Sequence, residues 1–160
     1  MIKGYITNLG KYNEGYLIGE WITFPISDEE LEEVYGRIGI NEEYEEVFFT
    51  DWECEVDANF GEYESIERIN VLAEELERAN IAKVQAILET ESCNLEEALF
   101  CEDDVTFYEN MTLEEVAQEI VISCYALPEF ALRYFDYEAF ARDLSFDGYT
   151  EVSNGVIFRH

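Results

Sequence analysis

Apolar positions dominate Ile2 to Thr7 and Tyr16 to Phe24, two stretches rich in aromatic and β-branched residues, and the pattern predicts two strands. Asn8-Leu9-Gly10 and Asn13-Glu14-Gly15 supply turn chemistry between them, so a hairpin or meander opens the chain. Ser27 with Glu30 three residues on is a capping-box pattern, and it starts a short acidic helix for which Gly36 is a stop signal. Tyr44 to Trp52 then reads as another strand, with Glu45 and Glu46 near its start.

Beyond Asn59-Phe60-Gly61 the β-branched and aromatic residues thin out and helical spacing takes over. Ile66, Ile69, Leu72, Ala73 and Leu76 share one face of a helix, with Glu67, Glu74, Glu75 and Glu77 largely on others. A second helix is predicted over Ile81 to Leu88 and a third from Asn94, again with a Glu three residues on at Glu97. The last third is mixed. Val105 to Tyr108 reads as a strand, Thr112 with Glu115 opens a helix bearing Leu113, Val116, Ile120 and Val121, and Pro128 breaks or restarts it. Asp136 caps a helix over Tyr137 to Leu144, and Tyr149 to Val152 with Val156 to Arg159 form a closing hairpin, for which Asn154-Gly155 favours a type I′ turn.

The pattern therefore predicts an α+β chain of three small consecutive domains: an antiparallel sheet plus helix over 1–61, a helical bundle over 62–103, and a mixed sheet plus helices over 104–160. No repeat of fixed period and no low-complexity linker separates them. Three modules in a row, each with a small core, can build an elongated molecule.

Charge changes the picture most. Asp and Glu number 38 against 9 Lys and Arg, for a formal net charge of −29 and a pI near 4.1. Apolar residues at 48% and aromatics at 15% separate this chain from disordered acidic tails, so the acid decorates a folded body. Nucleic acid and anionic membrane are excluded as direct partners. A globule of this length has a radius of gyration of roughly 15 Å, whereas the same charge on duplex DNA, at one per ~1.7 Å, would occupy about 50 Å. Such a surface repels itself and weakens folding. Either adaptation to high salt and solubility or a basic partner, met through electrostatic steering, accounts for that cost.

Most enzyme constellations are missing: there is no Gly-rich phosphate loop, no GxSxG, no HExxH, and the single histidine is the terminal His160. No catalytic residue, cofactor or metal is expected. Cys54, Cys93, Cys101 and Cys124 lack a CxxC pair and read as buried free thiols rather than disulfides or a zinc site. Asp143-Leu144-Ser145-Phe146-Asp147-Gly148 imitates the start of a calcium loop but has Asn154 where a bidentate Glu is needed, so it reads as a helix end turning into a hairpin. No stretch has the apolar length of a membrane helix, and MIKGYITNLG lacks a signal peptide's apolar core, so a cytoplasmic location is expected.

The remaining chemical signal is the acidic clusters: Glu29, Glu30, Glu32 and Glu33; Glu42, Glu43, Glu45 and Glu46; Glu74, Glu75 and Glu77; Glu96 and Glu97; Glu102, Asp103 and Asp104; Glu114 and Glu115. One cluster alone is an ordinary solvated face or a helix-dipole partner. Their recurrence with few Lys or Arg interspersed is not, because ordinary surfaces mix signs. Lys and Arg that meet phosphates in a DNA-binding groove accept carboxylates as well, since the arginine fork fits either anion.

Tyr5-Ile6-Thr7-Asn8-Leu9-Gly10-Lys11-Tyr12-Asn13-Glu14-Gly15, followed by Gly19, Trp21 and Phe24-Pro25, resembles the N-terminal signature of ArdA-type antirestriction proteins. Ile38-Gly39-Ile40-Asn41-Glu42-Glu43-Tyr44-Glu45-Glu46, Tyr137 to Leu144 and Ser153-Asn154-Gly155-Val156-Ile157-Phe158 are similar to the family too. The resemblance implies an elongated three-domain DNA mimic, homodimeric through its C-terminal region, that occupies the DNA-binding site of Type I restriction-modification enzymes, on their methyltransferase and specificity subunits. It places the dimer contact near Ala126, Leu127, Pro128, Phe130, Ala131 and Tyr134; for Leu127, Phe130 and Tyr134 core packing is the other reading. The rival function is an acidic binder or chaperone of another basic nucleic-acid-binding protein. The signature glycines and Trp21 read as structural, while Lys11 either pairs locally with Glu14 or modulates the mimicry.

Overall fold

The structure is a computed structural model that describes residues 1–90 and 93–160. The chain is α+β, with three discernible stretches in sequence order: sheet with helices, helices, and mixed sheet and helices. Packing gathers them into two compact units, Met1–Ala79 and Asn80–His160.

In the first unit β1 (Ile2–Asn8) runs between β2 (Gly19–Phe24) and β3 (Val47–Cys54), antiparallel to both. Ile2, Ile6, Ile22, Phe24 and Phe49 are buried on the sheet. Two helices add to the core, with Val34 and Ile38 from α2 (Asp28–Ile38) and Ile69, Leu72, Ala73 and Leu76 from α3 (Ile66–Arg78). The Asn70 side chain joins α3 to the end of β2, accepting from the Ile26 N–H at 2.8 Å and donating to the Ile26 carbonyl at 2.9 Å.

Three local expectations give way here. Residues after Asn8 form a short helix, α1 (Leu9–Asn13), rather than a turn, because the Asn8 side chain accepts from the Lys11 N–H at 3.0 Å and caps it. The Tyr16 N–H is thereby drawn onto the Lys11 carbonyl, so β2 begins only at Gly19. Helix α2 runs past Gly36 and stops at Gly39, which takes the left-handed conformation at φ 79° and so can close the helix. Tyr44 lies outside β3, since Asn41 and Tyr44 exchange backbone hydrogen bonds in a tight turn.

In the second unit β6 (Gly155–Arg159) lies between β4 (Val105–Glu109) and β5 (Tyr149–Val152), again antiparallel. Val156 and Ile157 point to opposite faces of β6 and both are buried, so this sheet is covered on both sides. The cover comes from α4 (Ile81–Thr90), α6 (Leu113–Cys124) and α8 (Tyr137–Phe146), with α5 (Leu95–Phe100) packed on α4 and a short α7 (Glu129–Leu132) between α6 and α8. Ala117, Ala141 and Leu144 form the contact where α6 meets α8. Pro128 stands at the start of α7, where its fixed φ suits a first turn.

The closing hairpin pairs Val152 with Gly155, so its two loop residues are Ser153 and Asn154, and neither has the positive φ of a type I′ turn. Asn154 is held instead by neighbours: its side chain donates to the Ala82 carbonyl at 2.8 Å and its carbonyl accepts from the Asn110 N–H at 2.8 Å. Asp143 to Phe146 is helical, which removes the calcium-loop geometry. The thiols are free, but none is buried: Cys54, Cys93 and Cys101 are half-buried, and Cys124 is exposed at the end of α6.

Two expected outcomes follow from these contacts. Asn8 is fully buried and also donates to the Ile38 and Gly39 carbonyls at 3.1 and 3.2 Å, so Asn8→Ala strands two acceptors and uncaps α1. Denaturant unfolding should record a loss of about 2 to 4 kcal/mol, and a change under half a kcal/mol would contradict this role. Glu30, Glu89 and Glu115 have carboxyls held below the ordinary value, chiefly by the Ser27 hydroxyl, the Ser153 hydroxyl and the Thr112 backbone N–H respectively. A depressed folded pKa contributes stability above the ordinary value of 4.5 that is lost as pH falls through the folded one. The stability gap between the wild type and Glu30→Ala should therefore shrink as pH falls below 4.5; a constant gap would contradict it.

Candidate functional site

The acidic clusters sit where helices begin and where loops turn. Asp28, Glu29 and Glu30 fill the first turn of α2, Glu96 and Glu97 that of α5, and Glu114 and Glu115 that of α6, so each group faces the positive end of a helix dipole. All three predicted capping boxes form, with Ser27, Asn94 and Thr112 as caps and Glu30, Glu97 and Glu115 closing them. Glu42, Glu43, Glu45 and Glu46 occupy the loop between α2 and β3, and Glu74, Glu75 and Glu77 the outer side of α3. Glu102, Asp103 and Asp104 form a 3-10 turn before β4. Every clustered carboxylate is on an exposed residue except Glu102, which is half-buried.

The structure sorts these residues by occupation. Glu30, Glu97 and Glu115 are engaged by their caps, and Glu102 accepts from the Asn80 N–H at 2.9 Å. Glu33 and Glu74 face Arg37 and Arg78 at 3.7 and 3.8 Å, and Glu96 has an interaction of its own. The carboxylates of Glu29, Glu32, Glu42, Glu43, Glu45, Glu46, Glu75, Glu77, Asp103, Asp104 and Glu114 have no hydrogen bond or ion pair among the described residues.

Six of the nine Lys and Arg, in contrast, pair with a carboxylate close by. Lys3 faces Glu53 at 3.6 Å, Lys11 faces Glu14 at 3.2 Å, Arg68 reaches Glu64 at 2.6 Å and Arg133 reaches Glu129 at 2.7 Å. Arg37 makes a forked contact with Glu20, at 3.0 Å from Nε and 2.6 Å from Nη2, which holds the Glu20 carboxyl below its ordinary range. Exposed pairs of this kind stabilise by roughly 0 to 1 kcal/mol each, but they remove isolated positive charge from the surface. Single acids were passed over in the sequence because they stand outside runs. Glu119 lies one helical turn beyond Glu115; its signal was helical spacing rather than adjacency.

Local charge density is high enough to matter chemically. Asp28, Glu29, Glu30, Glu32 and Glu33 fall within six residues of α2, or about 9 Å of helix axis. Duplex DNA carries about five charges in that length. Such a cluster offers acceptors to Lys and Arg; among the described residues no group of three or more His, Cys, Asp or Glu is placed to hold a metal.

A different surface surrounds the other set of predicted residues. Residues 122–130, between the last turn of α6 and α7, are all exposed. Leu127 is 36% exposed, Phe130 73% and Tyr134 77%, so the three lie outside the core. The Phe130 and Tyr134 rings lie 5.1 Å apart, Ala126 and Pro128 are exposed beside them, and Ala131 is half-buried. Ile122 and Tyr125 extend the same apolar stretch. No helix among the described residues is long and apolar enough to cross a membrane.

No curated protein matches the chain. The family described as antirestriction protein (ArdA) matches residues 4–158, which spans both compact units and nearly every carboxylate described above. With the match covering almost all of its length, the chain belongs to the ArdA family of antirestriction proteins.

Proposed function

We propose that this ArdA-type antirestriction DNA mimic acts by setting its unpartnered carboxylates against the Lys and Arg of the DNA-binding groove in a Type I restriction-modification enzyme, on the methyltransferase and specificity subunits. The supporting observation is the asymmetry of pairing: eleven clustered carboxylates lack an internal partner, whereas Lys3, Lys11, Arg37, Arg68, Arg78 and Arg133 each have one. Carboxylates held in place on a folded scaffold can take over hydrogen bonds that phosphates would accept. ArdA proteins are non-catalytic DNA mimics, so inhibition is occupancy and no bond is made or broken. In this reading the protein works in the cytoplasm with its target.

The exposed strip of Leu127, Phe130 and Tyr134, with Ala126, Pro128 and Ala131, is the proposed contact of a homodimer. An apolar patch rimmed by acid is a poor partner for a basic DNA groove and a good one for its own copy, which can cover it symmetrically. Phe130→Ala with Tyr134→Ala should shift sedimentation from dimer to monomer at micromolar concentration, aromatic anchors being the commonest hot spots. An unchanged dimer would move the contact elsewhere.

Competition is the direct test of the target. The protein should displace duplex DNA from a Type I methyltransferase with its specificity subunit, and its affinity should fall by roughly a thousandfold between 50 and 200 mM salt. Failure to compete at low salt would overturn the target assignment, and capture of a different basic DNA-binding protein at equal strength would favour a general acidic binder. Single changes such as Glu32→Gln should each cost only a few-fold, because the contact is distributed; complete loss from one of them would contradict that.

A further inference from the structure

Helix α1 and the acidic loop between α2 and β3 meet in space. Gly10 and Lys11 of α1, and Glu14 just after it, lie against Tyr44, which stands at the centre of the loop carrying Glu42, Glu43, Glu45 and Glu46. Lys11 Nζ is 3.8 Å from the centre of the Tyr44 ring and 3.2 Å from a Glu14 oxygen, and the Tyr44 hydroxyl donates to the other Glu14 oxygen at 2.7 Å. The ring rests on Gly10, where any Cβ would run into it. The Leu9 N–H donates to the Glu46 carbonyl at 3.0 Å, and the Asn41 side chain accepts from the Glu43 and Tyr44 N–H groups at 2.8 and 3.1 Å. Tyr44 first, and Glu14 after it, holds the Lys11 ammonium above the ordinary lysine range.

A half-buried cation clamped beside an anionic loop is a paradox for a surface that works by negative charge alone. We propose that Lys11 and Tyr44 are positioning residues, which clamp the loop to α1 so that its four glutamates are presented in one fixed arrangement, and that Lys11 strengthens inhibition although it cancels a negative charge. Without the clamp the glutamates repel one another and spread over many loop conformations, each of which must be frozen out on binding. The inference rests on the proposed competition with DNA. It goes further in separating order from charge: Glu42, Glu43, Glu45 and Glu46 contribute because they are held.

The test compares Lys11→Gln and Lys11→Arg in displacement of duplex DNA from the methyltransferase and specificity subunits, with amide hydrogen exchange across residues 41–46. Lys11→Gln makes the chain one unit more negative, so charge alone demands equal or tighter binding, whereas the clamp predicts inhibition weaker by roughly tenfold. Exchange in the loop should quicken while the melting temperature stays within a few degrees, and Lys11→Arg, which keeps the cation, should recover most of the inhibition. Tyr44→Phe, which keeps the ring and loses only the hydroxyl, should fall between. If the wild type competes and Lys11→Gln competes as well or better, the clamp is overturned; if the wild type does not compete, the proposed function falls, and unchanged loop exchange in Lys11→Gln would still overturn the clamp by itself.

Discussion

Self-repulsion is the constraint to which the rest of this structure answers. A net charge of −29 on 160 residues opposes every step of compaction, and each half of the chain has only a small core to set against it. The fold responds by spending carboxylates on structure wherever a helix begins. Glu30, Glu97 and Glu115 close capping boxes and Glu89 holds the final hairpin through Ser153, so part of the acid that would drive the chain apart keeps its elements in place. The same positions face helix dipoles, which lowers the cost of placing Asp28, Glu29, Glu96 and Glu114 next to them.

That division of labour connects stability with function. Engaged carboxylates fix the helices, and their unengaged neighbours are carried outward on a scaffold that cannot easily yield. Paired cations complete the scheme: Arg37 on Glu20, Arg68 on Glu64 and Arg133 on Glu129 add little stability, but each removes a positive charge that would repel a basic partner. An inhibitor built this way gains from order as much as from charge, because a disordered polyanion would lose its entropy on docking.

Much of this was legible in the sequence because the signals were local. Three capping boxes, the strands β1, β4, β5 and β6, and the amphipathic faces of α3 and α6 depend on residues within a turn or two of each other. What escaped was long-range. Asn8 looked like part of a turn, yet its role as cap of α1 and partner of the Ile38 and Gly39 carbonyls depends on a helix thirty residues away. Tyr44 read as a strand residue until the turn at Asn41 set it on Gly10 and Lys11. Gly36 and Gly39 are both plausible stops, and only the packing of Ile38 into the core carries α2 on to the second. The acidic surface was visible as composition, but which of its members are already occupied, Glu33 and Glu74 by arginines and Glu102 by Asn80, required the fold.

The central claim is that unpartnered carboxylates meet the cations that otherwise hold DNA. Zero-length carbodiimide coupling of the complex with a Type I methyltransferase and its specificity subunit, mapped by mass spectrometry, tests it most directly. The account predicts amide links from Glu29, Glu32, Glu42, Glu43, Glu45, Glu46, Glu75, Glu77, Asp103, Asp104 or Glu114 to lysines of the DNA-binding groove, all suppressed by added duplex DNA. Links to lysines outside that groove, or links that persist when DNA fills it, would contradict it.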